Sequence, residues 1–147
     1  MKRLFCSFVV LFFLVCLASG CAAPPSCNAV SGGPGTASIS FTSVPSLGST
    51  NNLKGRVLHV APAGYYVAVY IYVDGWWTKP YFDSPQTSID CDGTFSTDIT
   101  TGGDDQEATA ITAFLLPEGY TPPLLSGEAT LPESLYSAAA ATASASR

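Results

Sequence analysis

The chain has 147 residues, a length for one domain, with 47% hydrophobic residues, only 12% charged ones and a formal net charge of −5. Six basic residues against eleven acidic ones form no basic patch to meet phosphate, which argues against nucleic acid as a partner. One histidine and five cysteines without a C-x-x-C pair supply no zinc ligand set, and no metal or other cofactor is expected.

The N-terminus reads as a leader. Met1-Lys2-Arg3 is a short basic start, Leu4 to Leu17 is an apolar run, and Ala18-Ser19-Gly20 are small residues before Cys21. This order marks residues 1–20 as a secretory signal peptide rather than a membrane span. Residues 18–21 also resemble a bacterial lipobox, with Leu17 just upstream and alanine at the third position before the cysteine, where leucine is usual. Cleavage there would leave Cys21 lipidated and the chain anchored to a membrane; ordinary cleavage nearby would release it. The expected location is secreted or in the cell envelope, as a membrane-anchored lipoprotein in the first case. Cys6 and Cys16 leave with the leader. With Cys21 lipidated, Cys27 and Cys91 remain as an even pair for one disulfide in an oxidising compartment; the alternative is two free thiols.

Residues 21–36 are a flexible tether by composition, because Pro24-Pro25, Gly32-Gly33 and Pro34-Gly35 cannot continue regular structure. The domain proper is expected over 37–136. Ala37 to Val44 is a first short strand, and Leu53 to Val60 alternates as a second. Tyr65 to Val73 is the next strand, after the turn Ala61-Pro62-Ala63-Gly64. Val67, Val69, Ile71 and Val73 fall on an aliphatic face suited to a core, and Tyr66, Ala68, Tyr70 and Tyr72 fall on an aromatic face that could line a surface. Asp74-Gly75 is a hairpin signal, since both residues tolerate positive φ. Trp76 to Phe82 is the returning strand, with Pro80 placing it at an edge or a bulge. Gln86 to Asp90 and Thr94 to Ile99 read as a second hairpin around Asp92-Gly93. Residues 100–106 form an acidic loop. Glu107 to Leu116 is read as a strand, although its alanines also permit a helix. Pro132-Glu133 opens a short helix. Residues 137–147 are expected to be a disordered tail. About seven short strands separated by turns imply an all-β, immunoglobulin-like β-sandwich, with a five-stranded barrel as the alternative.

Catalytic patterns are missing. His59 sits alone in a strand pattern, no serine lies in G-x-S-x-G, and a small sandwich rarely builds the deep cleft that paired carboxylates need for glycoside hydrolysis. The chain is therefore not expected to be an enzyme. Asp90-x-Asp92-Gly93 has the opening of a calcium loop but lacks its closing acid, Thr101 standing there. The acidic residues Asp104, Asp105 and Glu107 read as a solvated loop, with a structural calcium as the lesser alternative. The aromatics are the remaining signal. A sugar ring presents an apolar C–H face that stacks on indole or phenol, while neighbouring polar groups bond its hydroxyls. Trp76, Trp77, Tyr70, Tyr72 and Tyr81, with Lys79, supply both kinds of group within one hairpin. Adjacent tryptophans in a strand face opposite ways, so one should be core and the other outward.

The motifs L-x-G-x-V from Leu53, the tyrosine–valine run Tyr66 to Val73, G-W-W-x-K-P from Gly75, D-G-T-F from Asp92, D-I-T-T-G-G from Asp98, A-T-x-I-x-A-F-L from Ala108 and P-P-L-L-S-G from Pro122 share a frame. The segment Leu53 to Pro132 that carries them resembles a secreted all-β accessory module of bacterial and some microbial eukaryotic polysaccharide-degrading proteins. The resemblance implies a module found alone or beside glycoside hydrolases, and carbohydrate as its partner. The competing expectation is a surface-anchored structural or protein-interaction domain of the adhesion type.

Overall fold

The computed structural model describes residues 27–147. The expected signal peptide at 1–20, lipidation of Cys21 and the first residues of the tether lie outside the described residues. Among the described residues are nine strands: β1 (Ser38–Ser43), β2 (Leu53–Leu58), β3 (Tyr65–Tyr72), β4 (Trp76–Lys79), β5 (Gln86–Thr87), β6 (Thr94–Thr97), β7 (Ala110–Pro117), β8 (Ser126–Glu128) and β9 (Ala141–Ser146). One helix, α1 (Glu133–Ala138), precedes the last strand. The fold is all-β and sandwich-like, with a short C-terminal helix. Its strands form two antiparallel sheets, β1-β2-β6 and β8-β4-β3-β7-β9, with β5 joining β3 beside β4. Neither sheet closes into a barrel.

Alternation along β3 and β7 sorts their side chains onto two faces. Val67, Val69, Ile71, Ile111, Ala113 and Leu115 face the first sheet, where Ile39, Leu53, Val57 and Phe95 complete the inter-sheet core. Tyr66, Ala68, Tyr70, Phe114 and Leu116 face the other way. The expectation of an exposed aromatic face is corrected here. The chain after β7 folds back over that face, and Leu125, Leu131 and Leu135 close a second apolar cluster on it. Covering both faces of a strand removes its solvent side, which its alternation alone cannot foretell.

Three further expectations change. The turn around Asp92-Gly93 forms, with the Asp90 N–H donating to Thr94 O (2.8 Å) and the Gly93 N–H to Asp90 O (2.8 Å). Its two arms nevertheless part: β5 joins β3, and β6 joins β2. Gly55 permits the latter pairing, since a Cβ there would lie 2.2 Å from the Phe95 ring. The tail is not disordered, because residues 141–146 form β9 along β7 and Arg147 Nε donates to Pro45 O (2.8 Å). Alternating small and hydroxyl residues suit an edge strand, with Ala141, Ala143 and Ala145 half-buried and the residues between them exposed. The described end of the tether is docked rather than flexible. Cys27 is disulfide-bonded to Cys91, Ser31 Oγ donates to Val57 O (2.8 Å), and the Ser31 N–H donates to Val60 O (3.0 Å).

Candidate functional site

The site grows from the β3–β4 hairpin. Val73, Asp74 and Gly75 make its turn, with Asp74 at φ 53°, Gly75 at φ 154° and the Val73 N–H donating to Gly75 O (2.9 Å). A Cβ on Gly75 would lie 2.4 Å from Gly127 O, so β8 can cross this turn only against a glycine. β4 is therefore no edge strand at its tryptophans: β8 pairs with Trp76 and Trp77, and the Thr78 N–H donates to Leu125 O (3.0 Å). The strand stops at Lys79, three residues earlier than predicted. The Lys79–Pro80 peptide is cis, and the chain leaves the sheet over residues 80–85 before β5 returns to the same edge of β3. Pro80 and Pro85 offer the ladder no N–H, which suits a detour at this edge.

The two indoles point to opposite faces, as strand geometry requires, but neither is outward. Trp77 packs against the inter-sheet core and donates Nε1–H to Val73 O (3.0 Å). Trp76 packs against the second cluster and meets Tyr72 edge-on, with ring centroids 5.4 Å apart. Both are half-buried because both faces of their sheet are covered.

A cleft of about 590 Å³ opens between this turn, the run from Trp77 to Phe82 and the loop 101–105. The half-buried indole of Trp77 forms part of its wall. Tyr81 and Phe82 stand on the detour, 52% and 46% exposed. Lys79 lies buried against Asp105. Its Nζ donates to the Asp105 carboxylate and to Thr101 Oγ1 (3.2 Å), and the same carboxylate oxygen accepts the Gly102 N–H (2.9 Å). Thr101 Oγ1 in turn donates to Pro80 O. The pair is withdrawn from water, with side-chain exposures of 8% and 11%, so each charge depends on the other. It ties the loop to the end of β4, and this corrects the reading of Asp105 as part of a solvated acidic loop.

Of the six aromatic and basic residues expected at a ligand, the cleft brings together Trp77, Tyr81 and Lys79. Trp76, Tyr72 and Tyr70 lie away from it. Tyr70 is a correction: it is fully buried, and its hydroxyl donates to Pro123 O (2.8 Å). Burial pushes its phenol well above the ordinary tyrosine range. Tyr66 behaves alike, donating to Tyr120 O (2.6 Å) with a phenol also raised by burial. These tyrosines pin the covering segment instead of meeting a ligand.

Phe82, Thr101 and Asp105 also line the cleft and were not among the expected contacts. A lysine at the end of an apolar strand, in a chain this poor in charge, needs a carboxylate partner. Asp104-Asp105 is the one adjacent acidic pair in the sequence, but Asp74, Asp83, Asp90 and Asp92 lie nearer to Lys79 along the chain, so local pattern alone did not single out Asp105. Among the described residues no group of three or more His, Cys, Asp or Glu side chains is placed to hold a metal. His59 lies elsewhere, its Nδ1 3.0 Å from Gly33 O.

Comparison of the chain with protein-family models, with curated proteins and with solved structures finds no match.

Proposed function

We propose that this chain is a non-catalytic module, secreted or lipid-anchored through Cys21, that binds carbohydrate in the cleft beside the β3–β4 turn. One observation carries the reading. The cleft sets the indole of Trp77 and the exposed rings of Tyr81 and Phe82 beside hydroxyl, amide and carboxylate groups of the 101–105 loop. Planar faces next to fixed polar groups are what a sugar ring, apolar on its C–H face and polar at its rim, requires. The resemblance of the sequence motifs to those of accessory modules of polysaccharide-degrading proteins favours the same reading. The binding residues in this reading are Trp77, Tyr81 and Phe82; Lys79 holds the loop in place.

The test uses exposed residues, whose replacement leaves the fold alone. Tyr81→Ala and Phe82→Ala should each weaken retention on immobilised polysaccharide in affinity electrophoresis by about tenfold, equivalent to about 1.4 kcal/mol. Circular dichroism should be unchanged. Variants that bind as tightly as the native chain would refute the cleft as the site. The adhesion-type reading draws on the same exposed Tyr81 and Phe82, which also suit a protein partner, and it predicts no retention on any polysaccharide.

A further inference from the structure

The cleft does not end at Phe82. A second hollow of about 410 Å³ is lined by Phe82 together with Asp83, Pro85, Thr121, Pro122 and Leu124. Phe82 thus borders both hollows, and its side chain is exposed. The far wall is firmly set. Tyr66 and Tyr70, buried under the covering segment, hold Tyr120 O and Pro123 O and so fix the residues on either side of Thr121 and Pro122. Leu124 follows, 49% exposed, while its neighbour Leu125 is buried in the second cluster. The result is a rigid floor with an apolar side chain left in solvent at each station: Tyr81, Phe82 and Leu124.

Size and charge narrow what fits. At about 590 and 410 Å³, both hollows fall within the roughly 300–1,000 Å³ of small-ligand sites. Each is therefore of a size to serve as a separate subsite. Lys79 is the only cation lining either hollow, and Asp105 neutralises it in the one ion pair among the described residues. Asp74, Asp83 and Asp104 line the hollows as exposed carboxylates. A ligand carrying carboxylates or sulfates would bring like charge against them with no free cation to offset it.

We propose that the site is a groove of two subsites that takes an internal run of a linear polysaccharide without acidic groups, with Phe82 as the stacking wall common to both. This rests on the carbohydrate reading above and adds chain length and charge to it. It also assigns Asp83, and Leu124 far from the tryptophans in sequence, to the binding surface.

Isothermal titration of the native chain with linear neutral oligosaccharides, from disaccharide to octasaccharide, separates the two levels. Affinity should rise with length by about tenfold or more across the series, about 1.4 kcal/mol per tenfold, and polygalacturonate should not bind. Leu124→Ala should remove the gain of the longer oligomers and leave the disaccharide unchanged, whereas Phe82→Ala should weaken every length. Affinity independent of length, a Leu124→Ala chain that binds the octasaccharide like the native one, or tight binding of polygalacturonate would each overturn the two-subsite groove while leaving carbohydrate binding intact. Failure of the folded native chain to bind any saccharide would remove both.

Discussion

At the scale of the residue, position along a strand says less than what lies over it. Tyr70 and Tyr81 are both tyrosines of one hairpin region, yet one is fully buried and the other 52% exposed. Tyr70 has exchanged water for Pro123 O, and its ionisation is correspondingly opposed. A phenol whose pKa is raised in the folded state contributes stability that is present below its ordinary value of 10.0 and is lost as pH climbs above it. The native chain should therefore lose stability to urea as pH rises beyond that point. Tyr70→Phe should lose about 1 kcal/mol at neutral pH, for the missing hydrogen bond, and should show a shallower alkaline decline. Tyr66 keeps part of the decline in place. Urea titrations followed by tryptophan fluorescence at neutral and alkaline pH measure both effects. An unchanged alkaline slope would place the Tyr70 hydroxyl in solvent.

At the scale of the element, the β3–β4 hairpin is where local chemistry and long-range packing meet. Asp74-Gly75 makes the turn, but Gly75 also admits the backbone of Gly127 to a place where a Cβ would sit 2.4 Å from its carbonyl oxygen. Gly75→Ala should lower stability by about 1–3 kcal/mol, from the strained φ and the displaced β8 together. The urea midpoint reads this directly. A midpoint equal to the native one would mean that β8 gives way at no cost. The neighbouring detour over residues 80–85 shows the reverse case: chain that leaves the ladder exposes its side chains, and those side chains form the proposed site. β9 shows how little a strand needs when a neighbour is waiting. A run of alanine, serine and threonine becomes ordered because β7 offers it a free edge.

At the scale of the whole molecule, two sheets and a covering segment share one central strand pair, β3 and β7, with apolar clusters on either side. The Cys27–Cys91 disulfide spans 64 residues and fastens the end of the tether to the turn before β6. Closing a loop of that length removes entropy from the unfolded chain worth about 4 kcal/mol. Cys27→Ser should lower the thermal midpoint, and dithiothreitol should lower that of the native chain to a similar value. A variant as stable as the native chain would show that Ser31 and its backbone bonds hold the tether without help. The same linkage gives the proposed groove its setting, since a lipid on Cys21 would lie six residues from the point where the domain is fastened.

The amino-acid pattern by itself determined the strands β1 to β7, because alternation, turn residues and prolines act within a few residues of one another. The aliphatic stripe at Val67, Val69 and Ile71, the turn at Asp74-Gly75, the strand over Ala110–Pro117 and the short helix after Pro132 were all legible there. The pairing of Cys27 with Cys91 was one of two readings that cysteine arithmetic left open. Partners distant along the chain were not legible. Only the tertiary structure decided that Tyr70 is buried, that β5 and β6 join different sheets, that Lys79 finds Asp105 and that the last residues form a strand. Alternation tells which side chains share a face, but the exposure of that face depends on chain folded over it from elsewhere. That dependence takes Trp76, Tyr70 and Tyr72 out of the proposed site and leaves Trp77 in a cleft with Tyr81 and Phe82, extended towards Leu124.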